Sequence, residues 1–400
     1  MTNRVLSGLT SGVLLVLLGQ QLGLSDFAEL QVHFTYGALM YWISDFGLMG
    51  LAYVNSVQSN MSGLASCWRM RMCMLSAPLI FLMTILSLQI VSLTFALIIF
   101  IGLIEAYVDS NLPIRQLFRS PLANNLSVTF RKISQLILLA LMALVFVDLT
   151  LIHVVLIYGL PSGIVFITDA IFFSKYSGKP SLDMLKKSAK YFVQSSGTSI
   201  ASIDLLIIDK FGYSNMIYPY ALGKKIYSFL MIPGTTFLRI SMKNNALVNE
   251  NFRKFLLSLK SILAMTLLAS LVASMLFTAL STFSFEKKIS VGGYFFILTM
   301  IFLPFLGSIS TNLNGLLVSK SKYRFAAIST FLSSFVYLFL LLTGFKLGVN
   351  EYVVLSIAIC CNLLCEIWLE YRLIFTGMSK HKIFTFSFLE INKTFFRAKK

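Results

Sequence analysis

The feature that most constrains this chain is a succession of apolar runs, each near the ~20 residues that a helix needs to cross a bilayer. They fall at 5–24, 30–54, 73–89, 91–108, 133–149, 152–173, 191–209, 215–239, 256–281, 291–316, 325–345 and 352–374. The stretch 73–108 is divided by a turn near Gln89, and 133–173 by one near Asp148. Inside lipid every backbone N–H and C=O must find its partner within the protein, and a helix satisfies that requirement residue by residue. The expectation is an all-α integral membrane protein with twelve transmembrane helices. Only 12% of the residues are charged and 57% are hydrophobic, against about 25% charged in an ordinary soluble domain. No segment between the runs has the size or composition of a soluble domain.

The basic residues orient the runs. With the start of the chain inside, the inner segments collect Arg4, Arg69, Arg71, Arg115, Arg119, Arg131, Lys132, the lysines of 175–190, and the basic residues of 239–260, 320–324 and 372–400. The outer turns hold only Lys210, Lys287, Lys288 and Lys346, and Lys224 and Lys225 fall in mid-span. Basic residues are retained on the cytoplasmic side, so both termini are expected in the cytoplasm of a bacterial inner membrane. A net charge of +17 would suggest nucleic acid for a soluble protein. Here the charge sits in short stretches between apolar runs, and no nucleic-acid partner is expected. Arg4 and the apolar stretch after it mimic a signal peptide, but no small-residue cleavage site follows and the segment reads as an uncleaved first helix.

Cys67, Cys73, Cys360, Cys361 and Cys365 all avoid the outer turns, so no disulfide is expected. His33, His153 and His381 are too dispersed for a metal site. Phe384, Phe388, Ile391 and Phe395 recur at helical spacing among the basic residues of 379–400. That tail reads either as an interfacial helix on anionic lipid or as a frayed basic end.

Ionisable residues within a span are costly and mark function or pairing. Lys224 shares one polar face with Tyr220, Tyr227, Ser228 and Thr235. It reads as lining a water-filled cavity, with pairing to a buried acid as the alternative. Lys225 is turned about 100° away, beside Ala221, Leu222 and Phe229, where pairing or snorkelling is the plainer reading. Asp45, one turn after Tyr41, reads as a lone carboxylate able to bind a cation or proton, or as a structural hydrogen-bonding group. Asp204 shares a side with Gly197 and Ala201, a close-packing pattern, and is the second candidate for ion coupling. Glu105, Asp169 and Glu366 are expected near the inner interface. Helix breakers mark candidate hinges at Gly159-Leu160-Pro161-Ser162-Gly163, Pro219, Pro233-Gly234 and Pro304. No phosphate-binding loop, zinc-protease motif or nucleophile elbow occurs. The chain is therefore expected to be a transporter rather than an enzyme, with no cofactor beyond H⁺ or Na⁺ as a candidate coupling ion.

The halves carry a faint repeat. Leu22-Gly23-Leu24-Ser25-Asp26-Phe27 closes the first run, and Phe211-Gly212-Tyr213-Ser214-Asn215-Met216 closes the seventh. The sequence resembles the Wzx-type polysaccharide flippases of the multidrug/oligosaccharidyl-lipid/polysaccharide exporter superfamily. The resemblance rests on Gly19-Gln20-Gln21-Leu22-Gly23-Leu24-Ser25-Asp26-Phe27 with Ile43-Ser44-Asp45-Phe46-Gly47-Leu48, on Ile203-Asp204 through Phe211-Gly212, and on Tyr218-Pro219-Tyr220-Ala221-Leu222-Gly223-Lys224-Lys225-Ile226. Ala28 stands where that family commonly has a glycine.

The resemblance implies a MATE-like fold of two pseudo-symmetric six-helix bundles around a central cavity open to each side in turn. On this sequence they would be 1–173 and 191–374, joined by a cytoplasmic loop at 174–190 and followed by the basic tail 375–400. The implied substrate is an undecaprenyl-pyrophosphate-linked oligosaccharide, with membrane lipids, a polymerase and glycosyltransferases of the same pathway as partners. Lys224 is the candidate for the pyrophosphate. A small-molecule or multidrug antiporter of the same fold is the nearest alternative. A membrane polymerase or glycosyltransferase is the next, and it lacks the sizeable outer loop such enzymes need.

Overall fold

Helix boundaries in this chain follow local chemistry. The computed structural model describes residues 2–57, 60–111, 121–146, 148–201, 203–232, 252–284, 289–319 and 323–375. Among them fifteen α-helices occur and no strand. They are α1 (Thr2–Gln21), α2 (Leu24–Asp45), α3 (Leu48–Val57), α4 (Met61–Ser87), α5 (Leu93–Ser110), α6 (Pro121–Val145), α7 (Leu151–Ser174) and α8 (Leu182–Ala201). There follow α9 (Asp204–Lys210), α10 (Ser214–Leu230), α11 (Phe252–Ser284), α12 (Val291–Phe302), α13 (Pro304–Ser319), α14 (Tyr323–Lys346) and α15 (Glu351–Phe375). Side-chain caps start several of them. Asn60 accepts from the Gly63 amide at 3.0 Å, Ser290 from Gly293 at 3.1 Å, and Thr150 with His153 forms a capping box. The turn after α4 has Gln89 at φ 55°, next to the expected division.

Six stretches are helical, long and apolar enough to cross a membrane: Met61–Ser87, Leu93–Ser110, Leu151–Ser174, Val291–Gly315, Phe325–Lys346 and Glu351–Leu373. Large apolar side chains such as Leu144 (84% exposed) and Met275 (71%) face outward. A surface of that kind requires a lipid solvent, and the chain is a multi-pass membrane protein.

Among the described residues the two largest buried cores both draw on α10, and both also draw on α2. Leu14, Leu18, Leu22, Phe27, Leu139 and Ile157 gather in the first with Tyr218 and Ala221 of α10. Ile217 and Tyr220 of α10 belong to the second, with Phe296, Ile301 and Leu341. Thus α10 stands between the two halves of the chain. The closest crossing within the first half is α2 on α5, where Gly37 faces the backbone of Gly102 and Gly102 faces Phe34. Side chains larger than hydrogen have no room there.

Several expected boundaries are corrected. The run 30–54 is broken into α2 and α3 at Phe46 (φ 44°) and Gly47 (φ 73°). Gly47 also lies against the backbone of Ser188 and Phe192 of α8, so both its conformation and its space exclude a side chain. The run 191–209 divides into α8 and α9. The expected loop 174–190 is helical from Leu182, and α4 and α6 begin about a turn or more before their apolar runs. Charged residues enter those helices because they are paired in the interior, which hydropathy does not register. Pro161 and Pro219 sit inside continuous helices, whereas Pro304 follows a one-residue interruption at Leu303, whose backbone stays helical. Pro233, Thr235 and the tail 379–400 lie outside the described residues. The five cysteines are free thiols.

Candidate functional site

The middle of α10 presents two adjacent lysines to two different environments. Lys224 Nζ lies 2.8 and 3.1 Å from the carboxylate oxygens of Asp204, the first residue of α9. Asp204 is buried and accepts further bonds from Tyr220 Oη, from Tyr337 Oη of α14 at 3.0 Å, and from the Leu205 amide at 2.8 Å. A carboxylate so fully bonded is stable in a low-dielectric interior. The Lys224 side chain nevertheless remains 41% exposed, with Nζ 4.9 Å from the centre of the Tyr220 ring. Of the two readings left open by the sequence, the structure shows the pairing with a buried acid, and the lysine side chain keeps one side exposed. Ser228 on the same face is exposed, while Tyr227 is partly buried with its hydroxyl against Gly307 of α13.

Lys225 does not face an apolar side, which corrects the expectation. It lies within electrostatic reach of Glu105, Asp109, Arg131 and Lys132, on α5 and α6 of the other half. That group is densely bonded. Glu105 receives Lys132 Nζ at 3.2 Å, Gln135 Nε2 at 2.7 Å and Ser162 Oγ, with Arg131 Nη1 at 3.6 Å. Arg131 Nη2 also bonds Asp109. Ser162 follows Pro161, so the proline motif of α7 places a hydroxyl on this carboxylate. Glu105 is buried and Arg131 is only 1% exposed, so neither snorkels to an interface. Within the group two carboxylates face three cations, counting Lys225. Among the described residues Lys225 makes no ion pair within 4.0 Å. It is the cation without a carboxylate of its own.

Asp45 is not a lone carboxylate, a second correction. Its Oδ1 receives Arg71 Nε at 2.6 Å, and its Oδ2 accepts the Met49 amide at 3.0 Å, capping α3 across the break. Arg71 in turn donates to Tyr41 Oη at 2.9 Å, Ser110 Oγ at 2.8 Å and Asn111 Oδ1, and lies 4.4 Å from the Tyr107 ring centre. Asn111 Nδ2 continues to Asp169 Oδ2 at 3.0 Å. The network ties α2, α4, α5 and α7 together. Asp169, expected near an interface, is 1% exposed. Sequence reasoning missed Arg71, Arg131 and Gln135 as interior groups. For Arg131 and Gln135 the available signal was a shared helical face that also carries Ser127 and Asn124; Arg71 has only apolar neighbours at helical spacing and gave no such signal.

The two halves meet at two levels. Near the turn between α1 and α2, Phe27 packs edge-on to Tyr218 with centroids 5.2 Å apart, and Gly19 admits the Tyr218 ring. At the α2–α3 break, Trp42 and Phe46 stack on Phe192 of α8 at 4.9 and 4.7 Å. Along α8 and α9, Asp204 is twelve residues from Phe192, about 18 Å of helix, so the lysines lie between the two contacts.

This arrangement is the fold of MATE and MOP superfamily transporters. The chain superposes on the MATE multidrug transporter DinF-BH with a TM-score of 0.65, covering 92% of both chains at 14% identity. It matches the inward-facing conformation of a multidrug resistance MATE family transporter of the MOP superfamily with a TM-score of 0.63, over 94% of this chain and 96% of that one at 12% identity. A MOP superfamily transporter from Pyrococcus furiosus, described for the reverse polarity of its binding pocket, gives 0.56 over 95% and 94% at 11% identity. These structures are of transporters, not enzymes. No protein-family model matches the sequence, and no curated protein does.

Proposed function

We propose that the chain is an alternating-access flippase that moves a lipid-linked oligosaccharide diphosphate, of the undecaprenyl-pyrophosphate class, across a bacterial inner membrane to the periplasmic leaflet. In this reading the fifteen helices make twelve spans, with α2–α3, α8–α9 and α12–α13 each counting as one. The halves 1–173 and 191–374 act as two lobes, both termini are cytoplasmic, and a polymerase and glycosyltransferases supply and consume the substrate.

The observation that carries the proposal is the pair of lysines on α10, a helix that contributes to both cores. Lys224 is half-exposed with Ser228 exposed on the same face, and among the described residues Lys225 makes no ion pair. A diphosphate entering between the halves would offset a positive charge that is otherwise held in a low-dielectric space. Tyrosine and serine hydroxyls suit phosphate and sugar oxygens.

The test is complementation of a flippase-null strain, scored by surface polysaccharide per inserted protein. Lys224→Ala and Lys225→Ala should each lower it at least tenfold, with lipid-linked repeats accumulating on the inner leaflet. Full complementation by the double alanine variant would overturn the anion-binding role. A multidrug antiporter is the second reading, favoured by the multidrug transporters among the fold neighbours. Export of organic cations by the wild type, without complementation, would select it.

A further inference from the structure

The second half holds a pair of carboxylates that the central site does not use. Glu366 and Glu370 stand one turn apart on α15. Glu366, expected near an interface, is partly buried, and its Oε1 accepts from Thr330 Oγ1 of α14 at 2.9 Å. Glu370 is 0% exposed. Its Oε1 accepts from Asn314 Nδ2 of α13 at 2.7 Å, and the same amide lies 3.3 Å from Thr330 Oγ1. The second oxygen, Oε2, is buried and makes no hydrogen bond within 3.5 Å among the described residues, with the Ser329 hydroxyl of α14 beside the carboxylate.

Among the described side chains, what faces this pair is neutral. α13 carries no ionisable side chain along its length. α14 begins with Tyr323 and Arg324, whose side chains lie outside the described residues, and between 325 and 345 it offers only Tyr337, which is bound to Asp204. α12 offers only Tyr294, bound to Thr278 Oγ1 at 3.0 Å. From α10, Tyr227 lies within electrostatic reach of Glu366. On α15 itself Arg372 lies over the Trp368 ring at 4.8 Å, and Cys365 sits beside Glu366. Among the described residues no cation comes within ion-pair distance of either carboxylate.

Two acids one turn apart in such a place do not both stay ionised, because each charge raises the cost of the other. A buried charge without a counter-ion neutralises instead. A bound divalent metal ion would require six or more oxygen ligands, and the groups aimed at the pair, an amide N–H and a hydroxyl, are donors. We propose that Glu366 and Glu370 hold one exchangeable proton between them, forming a protonation site in the second half. In the step, a proton from the aqueous phase adds to Glu370 Oε2 and the pair passes from two negative charges to one. No other bond forms or breaks. The role of this site in driving movement rests on the transporter reading; its existence does not.

Infrared difference spectra of the purified full-length protein in lipid, titrated from acid to alkaline pH without substrate, test the site. A protonated-carboxyl band should be present, bleach on alkalinisation, vanish in Glu370→Gln and shift in Glu366→Gln. It should be unchanged in Glu351→Gln, at the start of the same helix. If Glu370→Gln fails to insert, the shift in Glu366→Gln carries the test. A band unaltered by both glutamine variants would overturn the proposal. So would the absence of any band together with a sodium-dependent change in tryptophan fluorescence that Glu370→Gln abolishes. Complementation is read separately, so failure of the flippase reading leaves the expected spectrum in place.

Discussion

Asp45 and Arg71 show how a side chain's meaning changes once its partner is known. A carboxylate in an apolar run invites an ion-binding role. The guanidinium 2.6 Å away, with its own bonds to Tyr41, Ser110 and Asn111, makes it first a fastening between helices. Removing one member of a buried pair leaves the other charge uncompensated and costs about 3–5 kcal/mol. Arg71→Leu should therefore lower the detergent-solubilised melting temperature sharply, while Arg71→Leu with Asp45→Leu should recover part of the loss. Asp45→Asn should likewise be destabilised. Wild-type melting of Asp45→Asn with transport abolished would instead return Asp45 to the coupling role. The sequence made Asp45 visible as an anomaly in an apolar run, left Arg71 just outside one, and could not pair them. Asp45 and Arg71 are 26 positions apart, and no periodicity within a helix encodes a partner on another. Lys225 was misjudged for the same reason: its own helix neighbours are apolar, and the charges it meets come from α5 and α6.

At the scale of elements, hydrophobic length located the helices and failed at their charged ends. α4 and α6 extend past their apolar runs into segments containing Arg69, Arg71, Arg131 and Lys132, since an interior partner replaces the water those charges would otherwise need. Proline was an uneven guide. A proline in a membrane helix can be carried without a break when neighbouring groups satisfy the freed carbonyl, and α7 runs on through Pro161. The break at Phe46-Gly47 had no proline to announce it; it depends on a glycine. Gly47→Val should disrupt the α3–α8 contact, because its φ of 73° and the α8 backbone both oppose a branched side chain. The expected outcome is a loss of inserted protein or a drop in melting temperature of several degrees. Pro161→Ala should leave both within error. An equal effect of the two substitutions would reverse this ranking of the breaks.

For the whole molecule, the alternation of basic segments predicts which turns face outward. In intact cells, Asn350→Cys and Ser284→Cys, in a background lacking the native cysteines, should react with an impermeant thiol reagent. Ser181→Cys, in the turn between α7 and α8, should not. Labelling at Ser181 would invert the orientation. The general architecture was legible because a membrane permits so few solutions. The interruptions of α2–α3 and α8–α9 were not, because they are set by contacts between halves that a single run does not contain.

The aromatic contacts at two levels have an electrical consequence. Phe27 with Tyr218 at one level, and Trp42 and Phe46 with Phe192 at the other, bring the halves together on both sides of the lysines. A membrane that stores energy as a voltage loses about 2.3 kcal/mol for each elementary charge that slips across 100 mV. A conformation closed at both levels acts as an insulator, so an idle copy should draw no current. Liposomes containing the wild type should hold an imposed potassium diffusion potential as long as empty ones do. Alanine at Trp42, Phe46 and Phe27 together should shorten its lifetime. In this molecule the rings that join the two halves on both sides of the lysines would also keep the membrane charged.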